Sequence, residues 1–182
     1  TFRPSDARNP DIEKRLWKEL LRDRRDKHVT VALATIFGMT LENAQPIEGR
    51  FMLQFPDHSV SLDAQGDGAR AALRSLIALA AIQETSFSLE EPECHQHPES
   101  LDRYASAICK LTSLRKVQLF ISSHSLECVG AFLRAAKRHR LDASVFNLRL
   151  TEGLLDARRL DSKAARTLAS SGVDVRTLES YV

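Results

Sequence analysis

Leu89-Glu90-Glu91-Pro92-Glu93-Cys94-His95-Gln96-His97-Pro98, followed later by Leu119-Phe120-Ile121-Ser122-Ser123-His124-Ser125, decides how this chain is read. Both stretches are short apolar runs that end in polar residues: adjacent acids in the first, serines and a histidine in the second. The pattern predicts two neighbouring strands, one ending at Glu90 and one spanning Val117–Ser122, with a helix from about Pro98 to Leu111 between them. Open α/β sheets gather their ligand-binding groups at the carboxyl ends of the strands. The acids and the histidine are therefore expected on one rim.

Working outward, Gln65-Gly66-Asp67-Gly68 reads as a turn that opens a long apolar helix from Ala69 to about Ile82. After Ser125 a helix over Leu126–Arg138 leads to a strand over Ala143–Leu150. Strand, helix, strand, helix, strand with short links predicts a parallel sheet, and an α/β fold class. Upstream, Arg50–Phe55 and Ser59–Leu62 alternate with period two across Pro56-Asp57-His58, the pattern of an antiparallel hairpin. Pro10 opens a first helix whose face is Ile12, Leu16, Trp17, Leu20 and Leu21. Val29–Phe37 reads as a second helix ending at Gly38, although its β-branched residues compete for a strand. The tail holds a short strand or hairpin near Leu154–Leu160 and a helix from Asp161 to about Ser170, with Asp161 as N-cap. The expected organisation is one lobe, with a helical segment over 1–45 and the α/β part over 46–182.

The chain has 182 residues, 43% hydrophobic and 27% charged, enough for one sizeable core. A net charge of +2 does not by itself argue for nucleic acid. Basic residues do cluster, at Arg22, Arg24, Arg25 and Lys27 and again at Arg134, Lys137, Arg138 and Arg140. Either cluster reads as a solvated helix face or as a contact to DNA phosphates. Three cysteines without a regular framework point to reduced thiols and a cytoplasmic protein. No apolar run reaches the length of a membrane span, and no signal-peptide pattern is present. The opening at Thr1, within a polar segment, raises the expectation of preceding residues in the parent gene.

Acids at the tip of a buried strand call for a cation. In nucleotide hydrolases of the P-loop class that cation is magnesium on the terminal phosphates. Glu90 is then the carboxylate on the magnesium side and Glu91 the general base, with Pro92 turning the chain out of the strand. His124 can donate from a ring nitrogen to a γ-phosphate oxygen. Against this stands an exposed acidic loop of Glu90, Glu91 and Glu93, and a purely structural histidine. Cys94, His95 and His97 have spacings compatible with zinc but lack a fourth partner; packing and capping of the turn before Pro98 is the favoured reading, with no structural metal. The chain has only 7 glycines and no GxxxxGK[ST] loop, so alone it is expected to bind ATP poorly.

With these residues in hand, the chain from about Ile36 resembles the carboxyl-terminal half of an ABC/SMC-like AAA ATPase, in particular the OLD-type ATPases of prokaryotes. Leu89 to Pro98 is similar to that family's Walker B and D-loop run, Phe120 to Ser125 to its switch-histidine strand. Gln65-Gly66-Asp67-Gly68 is similar to the signature loop, and Gly172-Val173-Asp174-Val175-Arg176 to the end of such proteins. Toprim nuclease acids like those of OLD proteins are not seen in these residues, so nuclease activity is not expected. The resemblance implies ATP and Mg2+ as cofactors and an ATP-dependent homodimer. Glu90, Glu91 and His124 would serve one ATP, while residues 65–68 address the ATP of the opposite subunit; Glu93, His95 and His97 fall in the D-loop region. It also implies an amino-terminal lobe with the P-loop, from the same gene or a partner chain.

The sequence departs from the pattern at Glu90, where aspartate is usual, at Ser86 and Ser88 in the strand, and at Gln65, where serine precedes the first glycine. An inactive, regulatory ATPase-like subunit that only associates is therefore the competing reading, and a DNA-binding module the third.

Overall fold

The computed structural model describes residues 10–161, 163–165 and 167. Helix α1 spans Pro10–Arg22 and α2 spans Asp26–Phe37. Strands β1 (Asn43–Ile47), β2 (Arg50–Gln54) and β3 (Ser59–Ser61) follow, then a single 3-10 turn over Leu62–Gln65. Helix α3 spans Asp67–Ala81, β4 Ser86–Glu90, α4 Pro98–Arg115, β5 Gln118–Ser122 and α5 Leu126–Arg138. The last described strands are β6 (Ser144–Thr151) and β7 (Leu154–Asp161).

Helix α3 is central because it is apolar on nearly every side: Ala72, Leu73, Leu76, Ile77, Leu79 and Ala80 are all buried. Helices α1, α2 and α4 pack against it, and α5 packs on α4. Trp17 of α1 is fully buried and meets Phe51 of β2 edge-on at 5.0 Å, joining the helices to the antiparallel sheet. The carboxyl end of α3 is held by cations: Arg25 donates to the carbonyls of Ala80 and Ala81 at 3.0 and 3.1 Å, and Arg115 to that of Ile82 at 2.9 Å. These are carbonyls that a helix cannot satisfy internally. Arg25 is thus committed inside the fold, and the first basic cluster is not simply a solvated face.

The expected α/β class is the one adopted. Strands β4 and β5 pair in parallel, Glu90 opposite Ser122, across the α4 crossover. Phe87 and Leu89 point into the core, with Leu119 and Ile121 against it. The other face carries Ser88, Glu90, Phe120 and Ser122, and Phe120 is 53% exposed. Helix α2 is a helix despite its β-branched residues, and Gly38 closes it in the left-handed region. Helix α5 has the expected bounds.

Three expectations change. Strand β6 does not join β4 and β5; it pairs antiparallel with β7 as a separate two-stranded ribbon. Its sequence alternates Phe146, Asn147, Leu148, Arg149, which suits a strand with one apolar face, whereas a buried parallel strand is apolar throughout. The hairpin of β2 and β3 gains a third strand, β1, with Pro46 opposite Phe51, so the division placed at residue 45/46 falls inside a strand. Helix α4 continues beyond Leu111 to Arg115 and ends at Lys116 in the left-handed conformation. At the tail, the Asp161 carboxylate accepts from the Ala164 N–H at 2.7 Å, as an N-cap does; most of the expected helix, and Gly172–Arg176, lie outside the described residues.

Candidate functional site

The two strand ends converge as their parallel register dictates. The Glu91 N–H donates to the Ser122 carbonyl at 2.8 Å, one rung beyond the ladder. Glu91 then takes φ = 42°, a left-handed conformation that strains a residue with a Cβ by about 1–2 kcal/mol. That turn, just ahead of Pro92, ends the strand and redirects the second acid. Its Oε1 lies 3.5 Å from His124 Nε2, and its Oε2 accepts from the Cys94 thiol at 3.2 Å. The His124 side chain is 93% exposed and that of Glu91 49%, so both are open to a ligand. The Glu91 hydrogen bond raises the Cys94 pKa, leaving the thiol a proton donor at neutral pH. Glu90 is exposed at the tip of β4, on the open face of the sheet.

Glu93 turns the other way, toward β5. Its Oε1 accepts from Ser123 Oγ at 2.5 Å, while its Oε2 is buried with no hydrogen bond of good geometry. Burial alone would raise the Glu93 pKa. The Ser123 hydroxyl, the backbone N–H groups of Glu93 and His124, and the Cys128 thiol together outweigh it and hold the carboxyl below its ordinary value. Ser123 Oγ in turn accepts from the Ser125 N–H at 3.0 Å, and Ser125 Oγ accepts from the Cys128 N–H at 3.2 Å, capping α5.

Beside this rim lies a cleft of about 460 Å³ between the amino ends of α3 and α4. It is lined by Gln65, Gly66 and Gly68 on one side and by His95, Gln96 and His97 on the other. Gly66 has φ = 83° and ψ = 174°, a conformation open essentially to glycine alone. A Cβ on Gly68 would sit 2.2 Å from the His95 carbonyl oxygen, so the two loops touch only because residue 68 has no side chain. Gln96 Nε2 donates to the Gly68 carbonyl at 3.1 Å. His97 Nδ1 accepts from the Glu99 N–H at 3.3 Å and caps α4, the role expected of the turn before Pro98.

The structure therefore gathers the expected residues into two adjoining groups. Glu91 meets His124 at the rim, and Gln65, Gly66, Gly68, His95 and His97 share the cleft. Asp67 is the exposed first residue of α3 and does not line it. Phe37 and Arg103 also line the cleft and were not foreseen. Arg103 stands four residues after Glu99, one helical turn into α4; that spacing was the available signal. On α5, Arg134 is half exposed and paired with Asp102 at 2.7 Å, beside exposed Lys137 and Arg138, with Arg140 just past the helix end. Among the described residues no three His, Cys, Asp or Glu side chains are placed to hold an ion, and no helix is long and apolar enough to cross a membrane. A magnesium ion that takes one carboxylate, with phosphates and water as its other ligands, could be met at this rim by the exposed Glu90.

No family model matches the sequence. Uncharacterized protein MJECL11 of Methanocaldococcus jannaschii is 22% identical over 112 residues, which is 61% of this chain and 98% of that protein. Among solved structures, one described under ATP-driven dimerization and DNA-stimulated activation of SMC ATPases superposes with a TM-score of 0.57 at 8% identity, covering 90% of this chain and 96% of that one. The Smc head domain of Pyrococcus furiosus, bound to the C-terminal domain of ScpA, superposes with 0.54 at 12% identity, and an Smc head bound to the ScpA winged-helix domain with 0.55 at 13%. The matches take in 81% and 79% of this chain but only 37% and 44% of those two. At such identities the shared property is the fold: this chain has the fold of part of an SMC ATPase head.

Proposed function

We propose that the chain is the carboxyl-terminal lobe of an ABC/SMC-like ATPase, of the OLD-type group, which hydrolyses ATP at an interface between two subunits. The observation that carries this is the meeting of Glu91 and His124 at the carboxyl ends of two parallel strands, both side chains open to solvent. Glu90 would hold Mg2+, which when bound neutralises charge on the terminal phosphates. Glu91 takes the proton of the attacking water, and His124 donates from Nε2 to an oxygen of the transferred phosphoryl group. The pairing of Glu91 with His124 is then what a nucleotide would part. Gly66 and the amino end of α3 offer N–H groups and a positive helix end to the ATP of the opposite subunit.

The missing phosphate loop belongs to an amino-terminal lobe, in the same gene or a partner chain. Parallel sheets are normally covered on both faces, and the open face of β4 and β5, with Phe120 on it, is the surface such a lobe would cover. The whole acts in this reading as a cytoplasmic, ATP-dependent homodimer. A second reading, a non-hydrolysing regulatory subunit that retains the docking surface and contacts DNA through Arg134, Lys137, Arg138 and Arg140, is favoured by one observation: the acid at the end of β4 is Glu90, a methylene longer than the aspartate usual there.

The test is the complete protein with its P-loop lobe, compared with Glu91→Gln. Hydrolysis is expected to fall about 100-fold or more, with ATP-dependent dimers persisting. Unchanged hydrolysis would exclude Glu91 as the base, and absence of hydrolysis in the unsubstituted protein would leave the regulatory reading.

A further inference from the structure

His124 is displayed on a turn whose backbone is fixed from both sides, and both fixings lead back to one carboxylate. Ser123, immediately before it, gives its hydroxyl proton to Glu93 Oε1 at 2.5 Å. Ser125, immediately after it, gives its N–H to the same Ser123 oxygen at 3.0 Å. Its own hydroxyl caps α5 through the Cys128 N–H. The chain of bonds is thus Glu93, Ser123, Ser125, α5, with His124 carried between the two serines.

Glu93 belongs to the loop that leaves β4, not to the strand that carries His124. That loop is itself braced: the Cys94 N–H donates to the Glu91 carbonyl at 3.0 Å and the Gln96 N–H to the Glu93 carbonyl at 2.9 Å. Gln96 also reaches the Gly68 carbonyl across the cleft. The second carboxylate oxygen of Glu93 is buried without a hydrogen bond of good geometry, and the carboxylate is further stabilised by the Cys128 thiol and the backbone N–H groups of Glu93 and His124. Burying a carboxylate costs free energy unless hydrogen bonds offset it, and a glutamate serving only to fill space would be better replaced by an apolar residue. A glutamine keeps an acceptor for the Ser123 hydroxyl, so Glu93→Gln separates the bond from the charge.

We infer that Glu93 is a positioning residue: by anchoring Ser123 it sets the His124 turn against Glu91, and ties the placement of the histidine to the loop that closes the cleft over Gly68. This rests on the reading of His124 and Glu91 as hydrolytic residues. It adds that their mutual geometry is imposed by a third side chain, acting through Ser123. Misplacing a reacting group by about 1 Å costs up to about 100-fold in rate, so the anchor has a measurable consequence.

The experiment has two arms. In this chain alone, hydrogen exchange at the Ser125 amide and the imidazole nitrogen resonances of His124 are compared for wild type, Glu93→Ala, Glu93→Gln and Ser123→Ala. Glu93→Ala and Ser123→Ala are expected to speed Ser125 exchange about tenfold and to shift the His124 resonances, while Glu93→Gln, which keeps an acceptor, stays close to wild type. In the complete ATPase, Glu93→Ala is expected to lower kcat about tenfold with KM little changed, and Glu93→Gln to restore most of it. Wild-type exchange and resonances in Glu93→Ala would overturn the anchor. A general loss of thermal stability in Glu93→Ala that Glu93→Gln shares, without a His124 shift, would also overturn it, since that is a packing effect. Should the anchor hold in the first arm while His124→Ala hydrolyses ATP at full speed, the functional reading fails and the anchor stands as a structural device only.

Discussion

The β4–β5 pair and the β6–β7 ribbon are both two-stranded, yet they sit in opposite circumstances. Between β4 and β5 the inner face is closed: Leu89 is 6% exposed and Phe87 4%, and the loops beyond are bound to one another by side chains. On β6 and β7, Phe146, Leu148, Leu150 and Leu155 share one face by register, and they are 57% to 72% exposed. An isolated two-stranded ribbon is marginal in water. The comparison teaches that the candidate site lies on the pair whose inner face is packed into the core. The ribbon contributes apolar surface but no residue to the rim or the cleft.

Breaking the closed half should have the largest effect. Leu89→Ala removes most of a buried side chain behind the acids and should cost about 2–5 kcal/mol by denaturant titration. A cost below 1 kcal/mol would mean the face is not packed as described.

Next comes a dependence on alkaline pH. Burial pushes the Cys109 and Cys128 thiols up to about 12 from an ordinary value of 9.0. In the unfolded chain these thiols ionise near 9.0, whereas the folded chain keeps its protons until about 12. The native state therefore binds more protons in that interval, and stability should be intact below pH 9 and fall as pH rises toward 12. Cys109→Ala should flatten this fall in midpoint measurements; an unaltered slope would show that other groups, such as buried Tyr104, dominate it.

The smallest effect belongs to the ribbon. Leu150→Ser should change the stability of the chain by no more than about 0.5 kcal/mol, as surface substitutions do. A cost above 1 kcal/mol would erase the distinction between the two regions.

Much of this fold was legible because helical periods are long. The bounds of α5 follow from Ser125 and its following apolar face, and the end of α2 from Gly38, while its start lies at Asp26 and not at Val29. Strand β1 was not legible: Asn43-Ala44-Gln45-Pro46-Ile47 has one β-branched residue, Ile47, and proline discourages a strand assignment away from an edge. It forms because β2 offers it an edge. The pairing of β6 was misjudged because strand identity is local while choice of neighbour is not. Of the site, Glu91 and His124 could be brought together on paper, since parallel register makes strand ends neighbours. The cleft could not be, because contact between Gly68 and His95, and the arrival of Arg103, depend on how α3 and α4 cross.

Helix α3, at 15 residues, is a rod of about 22 Å. One end begins at the glycines of the cleft; the other is gripped by Arg25, in the bend between α1 and α2, and by Arg115 at the end of α4. The fastening fixes the glycine turn relative to the first two helices and the end of α4 through a single rigid element.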